Sequence, residues 1–117
     1  MSVTWITFER YASPWERWKA IDDFTASSEI AVVEYRGDEH SSSLTACFGF
    51  VRRREYADIA FGTVNYRQVR YAAEREEVTR ADTLVVYAYG RQVGQSYGNA
   101  GPHPEDLIER ARELIAG

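Results

Sequence analysis

Apolar and polar residues change period several times along the chain, and each change marks an element. Residues 3–10 (VTWITFER) alternate, with Val3 and Trp5 on one face and Ile6 and Phe8 on the other, which predicts a strand. Ser13-Pro14-Trp15-Glu16 then carries a helix start: Ser13 accepts from the Glu16 N–H, Pro14 suits the first turn, and Glu16 bonds back. Trp15, Trp18, Ile21 and Phe24 follow at helical spacing, and the helix fades over 25–28.

Residues 29–36 (EIAVVEYR) and 44–51 (LTACFGFV) read as strands joined by a polar turn at 37–43. The triplet Arg52-Arg53-Arg54 is a charged boundary, after which Ala57, Ile59, Phe61 and Thr63 alternate with Tyr56, Asp58, Ala60 and Gly62 as a half-buried strand. Residues 66–78 are ambiguous: Val69 and Tyr71 alternate with Gln68 and Arg70, yet AAEREEV favours helix, so a bent edge strand turning helical is expected. Residues 82–89 (DTLVVYAY) are apolar on both faces, as in a covered central strand. A glycine-rich stretch, 90–104, follows as a long loop or a hairpin extension with a loop. A final helix over 105–116 carries Leu107, Ile108, Ala111, Leu114 and Ile115 as one stripe.

The expected order is β-α-β-β-β-β-β-α. Short polar turns between successive strands predict antiparallel pairing. The expected class is therefore α+β: an antiparallel, curved sheet of five to six strands with both helices on one face, in a single domain over 1–117. An uncovered sheet face rich in aromatics predicts a homodimer.

Composition narrows the function without naming it. At 117 residues, 44% hydrophobic and 27% charged, the chain should fold as a globular domain without staples. Cys47 is the only cysteine, which excludes an intrachain disulfide and a cysteine-based zinc site. No signal sequence or apolar stretch of membrane-spanning length is read, so a cytoplasmic protein is expected. The formal charge of −4 opposes non-specific nucleic-acid binding.

Several motifs carry less chemistry than their residues suggest. The stretch 90–101 matches neither nucleotide-binding glycine pattern, and Glu105 and Asp106 at the next helix start would repel a phosphate. It reads better as a lid. His40 among Asp38, Glu39 and Ser41–Ser43 is a run within one turn, not a triad drawn from separate elements. His103 reads as a capping residue. Two isolated histidines do not make a metal site, and no cofactor is expected. Cys47 lies among apolar neighbours and reads as a small buried hydrophobe.

The Arg and Tyr residues are the suggestive feature. Residues 46–72 hold five Arg against two acids, interleaved with Tyr. Arg with Tyr binds nucleotides by phosphate pairing and stacking. The expected site is a sheet face carrying Arg52, Arg54, Arg67, Arg70, Tyr66, Tyr71, Arg91, Tyr97 and Asn99. It would hold a small anionic or nucleotide-like ligand in a non-catalytic protein. The competing reading of the Arg residues is a solvated edge ion-paired to Glu74, Glu76 and Glu77. A protein partner is the second functional reading, with the chain as an antagonist or adaptor. A small enzyme is the third, with Asp58 or Glu34 as a base in an apolar cup.

Overall fold

Ser13 starts the first helix as its neighbours predict. The structure, a computed structural model, describes residues 3–37, 49, 52–97 and 102–117. In it the Glu16 N–H donates to Ser13 Oγ at 3.1 Å and the Ser13 N–H donates to Glu16 Oε1 at 3.3 Å, a complete capping box on α1 (Pro14–Thr25). Ser13→Ala should cost about 1 kcal/mol, read as a lower denaturant midpoint at unchanged slope.

The strands are β1 (Val3–Trp5), β2 (Ile30–Arg36), β3 (Ala60–Asn65), β4 (Thr83–Ala88) and β5 (Arg91–Tyr97), in the sheet order β1-β3-β2-β4-β5. β3 pairs parallel with both β1 and β2, while β2–β4 and β4–β5 are antiparallel. The sheet is mixed, which corrects the antiparallel expectation. The cause lies in the connections. β1 reaches β2 through α1, and β2 reaches β3 through the long segment 37–59; crossovers of that length bring strands back parallel.

Three helices, not two, are bounded among the described residues, and they cover both faces. α3 (Pro104–Ala116) packs Leu107, Ile108 and Ala111 against Ile30, Val32, Leu84 and Val86. On the other side Ile21 of α1 and Ala72 and Ala73 of α2 (Arg70–Arg75) lie against Ala31, Val33, Tyr35 and Val85. β2 alternates Ile30 and Val32 to one layer with Ala31 and Val33 to the other, so its unbroken apolar run reflects burial on both faces. The curved sheet with one open face does not exist. The premise of the dimer expectation goes with it.

Other elements differ in detail. The expected strand over 44–51 lies outside the described residues apart from Gly49, which is helical. Residues 66–78 contain no strand: Tyr66–Val69 is a 3-10 turn that runs into α2. Half of the expected loop over 90–104 is β5, and residues 98–101 lie outside the described residues. The 82–89 stretch is a covered central strand, as read. His103 occupies the position ahead of α3 but its side chain makes no capping bond, while Glu105 and Asp106 fall in the first turn. Among the described residues, no helix is long and apolar enough to cross a membrane.

Candidate functional site

In a sheet with parallel strands, sites form beyond the carboxyl ends, where neighbouring connections leave in different directions. Here β1, β2 and β3 end together. Trp5, Thr63 and Glu34 stand in register across the three strands. Thr63 and Glu34 are fully buried (0% exposed), and Thr63 Oγ1 donates to Glu34 Oε1 at 3.0 Å. A carboxyl in an apolar interior is costly without such bonds, so its retention there calls for a reason.

Two residues along β2, Arg36 is 8% exposed, with its guanidinium 4.7 Å over the Trp5 ring. Its Nε and Nη1 are buried and donate to no acceptor among the described residues. Trp5 itself is 46% exposed, so the stack forms part of the rim. The junction with β4 is closed by Asp82, in the left-handed region at φ 62°. Its N–H donates to the Tyr35 carbonyl at 2.6 Å and its Oδ1 accepts from the Gly37 N–H at 3.0 Å. Among the described residues no cluster of His, Cys, Asp and Glu could hold a metal.

The expected Arg/Tyr site does not form as one hollow. Arg67, Arg70 and Tyr71 do line a common cavity of about 340 Å³, with Arg17, beside the carboxyl end of β3. Tyr66 lies under Arg70, whose guanidinium is 5.7 Å from its ring. Tyr97 stacks instead with Arg80 at 4.5 Å. Arg52 and Arg54 are exposed before β3, and Arg91 opens β5, so these three belong to the opposite end of the sheet. Arg91 lines a separate cavity there with Tyr89 and Leu114. Asn99, His40 and Cys47 lie outside the described residues.

The two carboxyls named as bases part company. Asp58 is a surface group clasped by Arg112 at 3.1 and 3.2 Å, and that hydrogen bond holds its carboxyl below the ordinary value. It is in no apolar cup. Glu34 is. Sequence reading missed Arg36, Trp5 and Thr63 as its companions. The available signal was single polar residues, Glu34, Arg36 and Thr63, within otherwise apolar strands.

No family model matches this chain, and no curated protein matches it. Solved structures do. Oxidised thioredoxin from Plasmodium falciparum superposes with a TM-score of 0.64 at 19% identity, covering 99% of this chain and 100% of that one. A mutant thioredoxin from Halobacterium salinarum gives 0.62 at 15% identity, over 97% and 88%. A chain from work on the thiol-resolving mechanism in yeast mitochondrial 1-Cys peroxiredoxin via glutathione/thioredoxin systems gives 0.64 at 16%, over 97% and 96%.

The fold is thioredoxin-like: a five-strand mixed sheet with three helices bounded among the described residues. That overturns the non-catalytic binder with an open Tyr/Arg sheet face, since both faces are covered and the neighbours are thioredoxins. The antagonist or adaptor reading, which drew on exposed Tyr, Trp and acidic groups, is likewise not what the thioredoxin-like neighbours support. The chain also departs from the two-cysteine motif of thioredoxin-like redox proteins: with one cysteine it contains no C-x-x-C.

Proposed function

We propose that the protein carries out thiol–disulfide exchange on protein substrates through a single thiol, that of Cys47. The observation that carries this reading is the buried Glu34 carboxyl, held by Thr63 at the carboxyl end of β2 in a thioredoxin-like fold. The chain leaving that strand end carries the only cysteine.

The chemistry needs no second cysteine in the chain. The Cys47 thiolate attacks one sulfur of a substrate disulfide; that S–S bond breaks as the new one forms, and the other substrate sulfur leaves as a thiolate and takes up a proton. A small thiol of the glutathione class then attacks the mixed disulfide, releasing Cys47 and leaving the small thiol joined to the substrate sulfur. Glu34 serves as the proton-handling group, accepting the thiol's proton before attack and returning it afterwards. A buried acid can do this for an exchanging thiol without admitting bulk water. The small-thiol requirement fits the cytoplasm, where such thiols keep cysteines reduced.

The test is exchange with a small aromatic disulfide whose released thiolate absorbs visible light, followed from pH 5 to 9. Cys47→Ser should abolish the reaction. Glu34→Gln keeps the shape and the acceptor for Thr63, and should slow exchange about 10²-fold with a changed pH profile. A folded-state rate no faster than that of the chain in urea would contradict the reading. So would a Glu34→Gln variant with the wild-type profile.

A further inference from the structure

The cavity between the start of α1 and the turn leading into α2 has a lining with an unusual charge. Arg17, Arg67 and Arg70 all contribute to it, and no acidic residue among the described residues does. Arg17 is committed to the fold: its guanidinium donates to the carbonyls of Ala12 at 3.1 Å, Gln68 at 2.8 Å and Arg10 at 3.4 Å, tying the loop before α1 to the turn. Arg67 and Arg70 are different. Both are exposed, and among the described residues no carboxylate lies within ion-pair distance of either.

The turn that carries them is set by local contacts. The Arg67 N–H donates to Asn65 Oδ1 at 2.9 Å, which sets the turn, and Arg70 rests on the Tyr66 ring. The glutamates that follow do not neutralise them. Glu76 accepts from Gln92, and the Glu76 and Glu77 carbonyls accept from Gln95, which draws that segment towards β5. Glu9 lines a separate, smaller hollow with Phe8, Arg10, Arg17 and Gln68.

Aromatic surface continues from the cavity. Tyr71 is 41% exposed; Arg75 lies 5.9 Å from its ring and 4.9 Å from that of Trp18, which is stacked at 4.9 Å on Trp15, itself 56% exposed. Trp, Tyr and Arg around a pocket is the composition of protein-interface hot spots.

We infer that this face, the start of α1 with the Tyr66–Arg75 segment, docks an acidic segment of a protein partner. Its carboxylates enter the cavity to pair with Arg67 and Arg70, and an apolar side chain packs on Tyr71 and Trp15. Charge complementarity selects the partner: two forked cations stand on a rigid support with no carboxylate partner among the described residues. A polypeptide is favoured over a nucleic acid because the cavity offers few cations beside exposed aromatic surface at Tyr71 and Trp15, which suits a short acidic stretch carrying an apolar side chain better than a long, evenly charged phosphate backbone. The inference stands apart from the thiol reading.

The probe is a fluorescein-labelled peptide with Asp and Glu flanking a central Leu, titrated by anisotropy with the full chain. Controls are the same peptide with Asn and Gln, and an oligothymidylate of equal charge. The acidic peptide should bind at least tenfold more tightly than its amide counterpart. The Arg67→Glu/Arg70→Glu variant should lose roughly tenfold or more, with wild-type melting and wild-type exchange on the small disulfide. Tyr71→Ala, which leaves the charges in place, should also weaken binding. Equal binding of acidic and amide peptides, indifference to the charge reversal, or tighter binding of the oligothymidylate would each overturn the assignment.

Discussion

Tyr35→Phe alone is expected to lower the unfolding free energy by about 1–3 kcal/mol, and Tyr35→Phe with Tyr87→Phe to recover most of that loss. The two hydroxyls meet at 2.9 Å in the layer under α1 and α2, both fully or almost fully buried. Removing one leaves the other buried without a partner, whereas removing both leaves apolar rings of the same shape. The pair also sets an alkaline limit. Burial raises both phenols well above their ordinary value, and for Tyr87 the neighbouring Tyr35 adds to the effect. In the unfolded chain they ionise near pH 10. Their contribution is therefore intact below about pH 10 and is lost as pH rises, at about 1.4 kcal/mol per unit for each tyrosine that stays neutral when folded. Urea unfolding at pH 7, 10 and 11 should show a steep fall for the wild type and a shallower one for the double variant. Equal alkaline slopes, or a silent Tyr35→Phe, would contradict the pairing.

The second large effect couples a glycine to a helix. A Cβ on Gly94 of β5 would come within 2.6 Å of Leu107 Cδ2, so a side chain there would force the buried Leu107 to shift. Leu107 is itself 1% exposed. Gly94→Ala should cost about 1–3 kcal/mol by overpacking, and Leu107→Ala about 2–5 kcal/mol by leaving a cavity. Together they should cost clearly less than the sum, because the new methyl occupies part of the vacated space. Strict additivity in a double-mutant cycle would mean that strand and helix are not in contact as described.

Local signals were legible where the physics is local. Ser13, Pro14 and Glu16 define a helix start wherever they stand, EIAVVEYR marks a strand, and the TLVVYA run marks a strand covered on both faces. Strand direction is not local. The apolar run at 44–51, outside the described residues apart from Gly49, reads as a returning strand, and with it the connection from β2 to β3 reads as two hairpins, whereas the parallel pairing of β2 with β3 requires a crossover. β5 is masked for the opposite reason: RQVGQSY is an edge strand, polar and glycine-bearing, and resembles a loop. Residues 66–75 alternate like a strand, but Asn65 caps a turn there and the alanines of α2 are the buried face.

The candidate site shows the same division. Glu34 was visible as an acid in an apolar strand, because a buried charge is anomalous from sequence alone. Its setting was not, since Thr63, Trp5 and Arg36 are brought together by parallel pairing between distant segments. The Arg and Tyr residues were grouped by nearness in the chain. The sheet order sends Arg54 and Arg91 to one end and Arg67, Arg70 and Tyr97 to the other.

The most direct measurement is the mass of the intact folded protein after brief treatment with glutathione disulfide, then again after free glutathione is added. One glutathione should appear on Cys47 within the time in which an unfolded control shows none, and should depart in the second step. A native chain that stays unmodified while its urea-unfolded form accepts the group would mean that the lone thiol is packing material, and that this fold has been turned to chemistry without sulfur.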